Sequence, residues 1–360
     1  MIVVSHGKDI LNSTIDALTT SDILSYLKPS FSVAIKPNLV VAHPASDGAT
    51  THPEVVEGII IFLRSYGIER IKIIESSWIG ANTKRAFDVC GYTDLSEKYS
   101  VPLIDLKRDS STKMTSDSYS IKVCNEALNT DFLINVPVLK AHGQTRLTCC
   151  MKNLKGCIPD SEKRRFHILG LNKPIAELNQ IIKVGYNVVD GICGDLTFEE
   201  GGNPSEANRI IVGRDSFLID SYCAKLIGYQ PEEIGYLDYG MKIKLGEFYT
   251  EGSNVVEINT QEKSPSTVKG SRLAEKYRDM ILEDAACSAC YSSLMYALHR
   301  YGSKAKSLGP IHIGQGYKGK IKEGIGVGNC TCGFSTSVAG CPPNANSIYE
   351  TLCNLSKQKK

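Results

Sequence analysis

The chain has 360 residues, more than one compact core usually serves, so two or three domains are expected. With 42% apolar and 22% charged residues, general disorder is excluded. Forty-one Lys and Arg against 39 Asp and Glu leave a formal charge of +2, too little for the field of a non-specific nucleic-acid binder. No nucleic-acid partner is expected, and any basic site has to be local.

No apolar run reaches the roughly 20 residues of a membrane-spanning helix. The amino terminus, Met1-Ile-Val-Val-Ser-His-Gly, lacks the regions of a signal peptide, so a cytoplasmic location is expected. Thirteen cysteines, an odd number, then point to reduced thiols and metal ligation rather than to disulfides.

Up to about residue 260, short β-branched runs alternate with amphipathic stretches, the pattern of an α/β domain with a mainly parallel sheet flanked by helices. Strands are expected near Val33–Lys36, Ile71–Glu75, Leu103–Leu106, Phe132–Val136, Val184–Val189 and Arg209–Val212. A helix follows Thr51: Pro53 suits its first turn, Glu54 complements its dipole, Val55, Val56, Ile59, Ile60 and Leu63 form one face, and Gly67 ends it. Another is expected from Ser216 to Leu226, capped by Asp215. Residues 1–250 read as the α/β domain; 251–270, rich in Ser, Thr, Glu, Lys and Pro, as a linker; and 271–360 as a small cysteine-rich α/β module.

Lys36 and Asn38 follow the first of these strands, where open α/β sheets place ligand-binding loops. Strand Phe132–Val136 leads into a second polar run with Lys140, His142, Lys152, Asn153 and Lys155, followed by Arg165 and His167. Such groups can converge on one anion, Lys as a point charge and Asn through its amide donors, so a carboxylate or phosphate compound is the expected ligand. Separate solvated lysines are the plainer alternative. Glu75 and Asp190 stand at expected strand ends as further acid–base groups, and the Glu199–Pro204 stretch has to be a loop.

Several separated motifs in order resemble the domain-of-unknown-function 362 family over roughly residues 30–245: Ile35-Lys-Pro-Asn-Leu-Val40, Pro53-Glu-Val-Val56, Glu75-Ser76, Asn135-Val-Pro-Val-Leu-Lys140 with His142, Lys152-Asn-Leu-Lys-Gly156, Asp190-Gly191, and Gly213-Arg-Asp215 with Asp220. That resemblance implies an iron–sulfur α/β protein without naming a reaction. Many members carry a ferredoxin-like cluster domain, but this tail departs from the repeated ferredoxin pattern.

The tail reads Cys287-Ser-Ala-Cys290, Gly328-Asn-Cys330-Thr-Cys332 and Gly340-Cys341-Pro342-Pro343. A two-residue gap lets two thiolates reach one centre, and later cysteines can complete it. Cys287, Cys290, Cys330 and Cys341 are the expected ligands, with Cys332 as substitute. Zinc suits four thiolates, but a zinc ribbon repeats its Cys-x-x-Cys knuckle, whereas proline directly after cysteine fits a [4Fe–4S] cluster better. These segments also resemble the proximal-cluster segments of nickel–iron hydrogenase small subunits, which implies a [4Fe–4S] cluster at the same four residues.

Three functions compete. The leading one is an oxygen-sensitive redox enzyme or electron-transfer protein, with ferredoxin or another donor as partner and an anionic small molecule as substrate. In it, His142 is the proton donor, His167 the alternative acid, and Glu75 or Asp190 a base. A non-redox isomerase or lyase with a structural cluster, and a non-catalytic metabolite-binding or assembly module, are the alternatives. No Gly-x-Gly-x-x-Gly follows a strand, so no nicotinamide fingerprint is present, while nothing in the sequence excludes a flavin.

Overall fold

The computed structural model describes residues 1–263 and 272–358. In chain order the strands are β1 (Ile2–His6), β2 (Val33–Pro37), β3 (Ile71–Glu75), β4 (Leu103–Asp105), β5 (Ser111–Thr115), β6 (Ser120–Cys124), β7 (Phe132–Val136), β8 (Lys140–His142), β9 (Arg146–Thr148), β10 (Tyr186–Asp195), β11 (Pro204–Gly213) and β12 (Val255–Ile258). The tail adds β13 (Ile281–Glu283), β14 (Ile311–Ile313), β15 (Lys322–Val327) and β16 (Phe334–Val338). Among the described residues, eight strands form the main sheet in the order β12-β1-β11-β10-β7-β2-β3-β4. Only β11 runs antiparallel to its neighbours, so the sheet is mainly parallel.

The period of two along each strand divides the core into layers. Val33, Ile35, Ile134, Val188 and Val212 face the layer under helices Ile10–Thr20 and Pro53–Ser65. Ala34, Leu133, Val189 and Ile211 face the layer under helices Asp160–Leu169, Asn172–Ile181 and Ser216–Leu226. Both faces are covered, which is why these strands are nearly continuous apolar runs. Asp215 caps its helix, accepting from the amides of Phe217 and Leu218 at 2.9 and 3.0 Å.

Three elements differ from the sequence reading. The strand expected at Val184–Val189 continues to Asp195, and its partner begins at Pro204, because the two form a long antiparallel ribbon with a bulge between Gly191 and Cys193. Polar residues on β11 disguise its first half. Val255–Ile258, inside the stretch expected to be a linker, is an edge strand parallel to β1. Residues 264–270 of that stretch lie outside the described residues. The parallel sheet β13-β14-β15-β16, flanked by helices Ser288–Tyr301 and Ala345–Gln358, has its own apolar core around Ile281, Leu294, Ile311, Val327 and Leu352.

Candidate functional site

Parallel strands send all their carboxyl ends to one edge, and in each sheet that edge gathers the candidate site residues. In the tail sheet, β13 is followed by Cys287, β14 by Gln315, β15 by Cys330 and β16 by Cys341, while Cys290 lies one turn into the helix that starts at Ser288. Asn329 ties two of these loops together: its amide donates to Gly340 O at 2.9 Å, and its Oδ1 accepts from Gly340 N at 2.6 Å. Gly328 sits beside Cys290 Sγ at φ +92°, a left-handed backbone conformation that glycine adopts without the strain a side chain would bring. Burial and mutual repulsion push Cys290 up to about 12 and raise the Cys287 and Cys330 thiols. Full ionisation of the set therefore calls for a cationic core.

In the main sheet, Lys36 lies near the end of β2 and Glu75 ends β3. Both are buried, with Lys36 Nζ 2.9 Å from Glu75 Oε2, 2.8 Å from Pro37 O and 3.2 Å from Asn153 Oδ1. Asn153 and Lys152 come from the short helix Cys150–Asn153, whose start is held by Asp220 accepting from the amides of Cys150 (2.7 Å) and Met151 (3.1 Å). Cys149, Cys150 and Asp220 bring their ligand atoms within 4.8 Å of one another, a buried group that could hold a metal ion. Asp220 also accepts from Tyr236 OH at 3.0 Å, so in this structure its carboxylate is spent on the cap.

The two edges face each other across one cavity of about 300 Å³. One wall has Cys287, Cys290, Cys330, Cys341 and Gln315; the opposite wall has Lys36, Asn38, Glu75, Lys152, Asn153, Lys155, Lys163, Arg164, His167 and Glu199; Val40, Trp78 and Ile79 form an apolar side. Most of the cations are already paired. Lys152 Nζ lies 3.0 Å from Glu199 Oε1, and Lys163 Nζ is 2.8 Å from Ser77 O and 3.3 Å from Asp160 Oδ1. The side chains of Lys155 and Arg164 have no hydrogen bond or ion pair among the described residues. Burial, reinforced by Lys152, lowers Lys155 to about 7. Burial and Lys155 hold His167 well below its ordinary value, so it is neutral, and its Nδ1 has no partner. Asn38 Oδ1 is likewise unpartnered.

Four residues expected in the site are not on the cavity wall. Lys140 is buried and donates to Ala49 O (2.8 Å) and Glu199 O (2.7 Å), clamping the loop that carries Glu199. His142 stands behind Glu199, with Nε2 2.8 Å from Oε2 although off the line of a good hydrogen bond. Its Nδ1 accepts from the amides of Gln144 and Thr145, both at 3.1 Å. Burial lowers His142 to about 4 against the pull of Glu199, so it is a neutral support. Asp190 lies in mid-strand, accepting from the amide of His52 at 2.8 Å with His52 Nδ1 equally close. Arg165 points the other way from Arg164, to Ser120 O (2.7 Å) and Glu162 Oε2 (3.0 Å). One helical step separates the two arginines by about 100°, and sequence spacing alone did not show which faced inward.

Trp78, Lys163, Arg164, Glu199 and Gln315 were missed. Glu199 had a signal, an acidic pair in a glycine-containing loop after a strand; Gln315 and Trp78 had none. Burial alone would raise Glu199, but His142, Lys152 and Lys140 hold it well below the usual carboxylate range. Among the described residues, no helix is long and apolar enough to cross a membrane.

Comparison with known proteins gives a partial picture. The chain is 25% identical over 222 residues to the thylakoid-associated protein sll1697 of Synechocystis sp., covering 58% of this chain and 67% of that protein. Its structure overlaps that of the lactate racemase apoprotein from Thermoanaerobacterium thermosaccharolyticum with a TM-score of 0.39 and 14% identity. That match covers 64% of this chain, which spans 57% of the racemase chain. The model of the family described as Domain of unknown function (DUF362) matches residues 33–225, more than half of the 360 residues, and the chain belongs to that family.

Proposed function

We propose that Cys287, Cys290, Cys330 and Cys341 hold a [4Fe–4S] cluster and that the protein performs redox chemistry on a small anionic compound bound beside it. The observation that carries this reading is that the four cysteines and the unpaired cations Lys155 and Arg164 share one cavity. The tail thiols are not drawn together as closely as a single tetrahedral ion needs. A zinc ion with sulfurs at about 2.3 Å needs them about 3.8 Å apart. The described residues with three ligand atoms drawn within 4.8 Å are Cys149, Cys150 and Asp220, not the tail cysteines.

When bound, the cluster supplies single electrons. The chain does the rest. Lys155 and Arg164 attract the anion, His167 Nδ1 donates to it in the tautomer that carries its proton there, and the unpartnered Asn38 Oδ1 accepts from a hydroxyl or other donor group on the same compound. Trp78, Val40 and Ile79 keep water from one side. The Lys36–Glu75 and Lys152–Glu199 pairs neutralise their own charge and hold the wall in place. Electrons would come from ferredoxin or another donor protein.

Anaerobic purification, with iron, zinc and sulfide analysis and electron paramagnetic resonance before and after reduction, tests the reading. About four iron and four sulfide per chain with a reducible signal are expected. One zinc per chain, or iron that no reductant changes, overturns it.

A further inference from the structure

Among the described residues, Cys287 is the one of the four tail cysteines whose sulfur accepts a side-chain hydrogen bond. Gln315 Nε2 donates to Cys287 Sγ at 3.6 Å, within the range for a bond to sulfur, and also reaches Ala285 O at 3.4 Å. The main domain brings Lys155 and Arg164, without side-chain partners, to the cavity that Cys287 and Gln315 also line.

The Cys287 segment is also held against the main domain from both sides. Gln144 Nε2 donates to Ala286 O at 3.1 Å, and Ser288 Oγ donates to Gln144 Oε1 at 2.9 Å. Gln144 is fixed in turn by its amide, which donates to His142 Nδ1 at 3.1 Å. A chain of contacts thus runs from Glu199 in the cavity through His142 and Gln144 to the residues flanking Cys287.

We propose that Gln315, Lys155 and Arg164 raise the reduction potential of the centre by stabilising the negative charge it gains, Gln315 through its bond to the Cys287 sulfur and the two cations across the shared cavity. The proposal rests on the cluster reading above. Reduction adds one electron from an external donor, which is oxidised, and the centre gains one negative charge without a bond being made or broken. An N–H donor at the sulfur and two cations without carboxylate partners favour the more negative state through hydrogen bonding and Coulomb attraction. Gln315, Lys155 and Arg164 all line the cavity, so this stabilisation lies on the side from which the substrate would be reached.

The test is a dithionite titration of the iron-loaded full chain, monitored by electron paramagnetic resonance, on the wild type and on Gln315→Leu, Lys155→Met and Arg164→Met. Each variant should have a more negative potential, with reduction disfavoured by about tenfold, or about 59 mV for one electron. Arg165→Met, which removes a cation directed at Ser120 and Glu162, should leave the potential where it is. Arg164 is exposed and outside the ligand segments, so Arg164→Met carries the measurement even if Gln315→Leu loses iron. A wild-type potential in Arg164→Met at full iron content, with Gln315→Leu either at the wild-type potential or short of iron, overturns the proposal and leaves the cluster reading standing. A wild-type centre that cannot be reduced removes both.

Discussion

Gly156 lies against the carboxylate of Glu75 so closely that a Cβ on it would stand 2.3 Å from Oε1, and 2.6 Å from the Lys36 ammonium bound to that carboxylate. A methyl group cannot enter without displacing the buried pair, and overpacking of this kind costs about 1–3 kcal/mol. Gly156→Ala should lower stability by that amount in urea unfolding. An unchanged midpoint would mean that the turn Leu154–Cys157 can shift away.

The Lys36–Glu75 pair is buried in the cavity wall. Removing one partner leaves an uncompensated charge, so Lys36→Met and Glu75→Gln should each destabilise by about 3–5 kcal/mol. The double variant should lose less than the sum of the two. Strict additivity in denaturant unfolding would show that the pair is not coupled.

Acid should weaken the fold through His142. Its folded pKa is lowered to about 4 from an ordinary 6.5, so between these values the unfolded chain binds a proton that the folded chain refuses. Stability therefore rises with pH across this window and falls as pH drops, by on the order of 3 kcal/mol from this residue. His167 and His6, also lowered, act in the same direction, whereas His52, raised by Asp190 against its burial, opposes them. Denaturation of the wild type and of His142→Asn at pH 7 and pH 4.5 isolates the contribution. The variant should show the weaker pH dependence, and parallel curves would count against the assignment.

Cysteine replacement separates ligands from bystanders. Cys287→Ser, Cys290→Ser, Cys330→Ser and Cys341→Ser should each lose most of the iron found by metal analysis. Cys332 is exposed and absent from the cavity wall, so Cys332→Ser should keep it. The reverse result at Cys332 and Cys330 would exchange their roles.

The ends of the strands were readable because each βα unit announces itself locally: the apolar run Val33–Ile35 before Lys36, and the Pro53 start and Gly67 stop of one helix. That the tail cysteines converge on one cavity was readable for a similar reason, since short spacings such as Cys287 to Cys290 restrict what the thiols can reach. Pairing across distance was less legible. Asp190 resembled a strand end, yet the ribbon with Pro204–Gly213 runs past it, and Val255–Ile258 resembled linker because its short apolar run stands alone among Ser, Thr, Glu and Lys, and only pairing with β1 makes it a strand.

The sequence by itself determined the α/β class, the family motifs and a set of closely spaced thiols, because periodicity, caps and short gaps act over a few residues. Only the tertiary structure decided that Arg164 rather than Arg165, and Glu199 in front of His142, face the cavity. It also decided that two separate parallel sheets turn their carboxyl ends toward each other. The reason is physical: which way a side chain points, and whether its charge is already paired, depends on groups that packing brings together from distant parts of the chain.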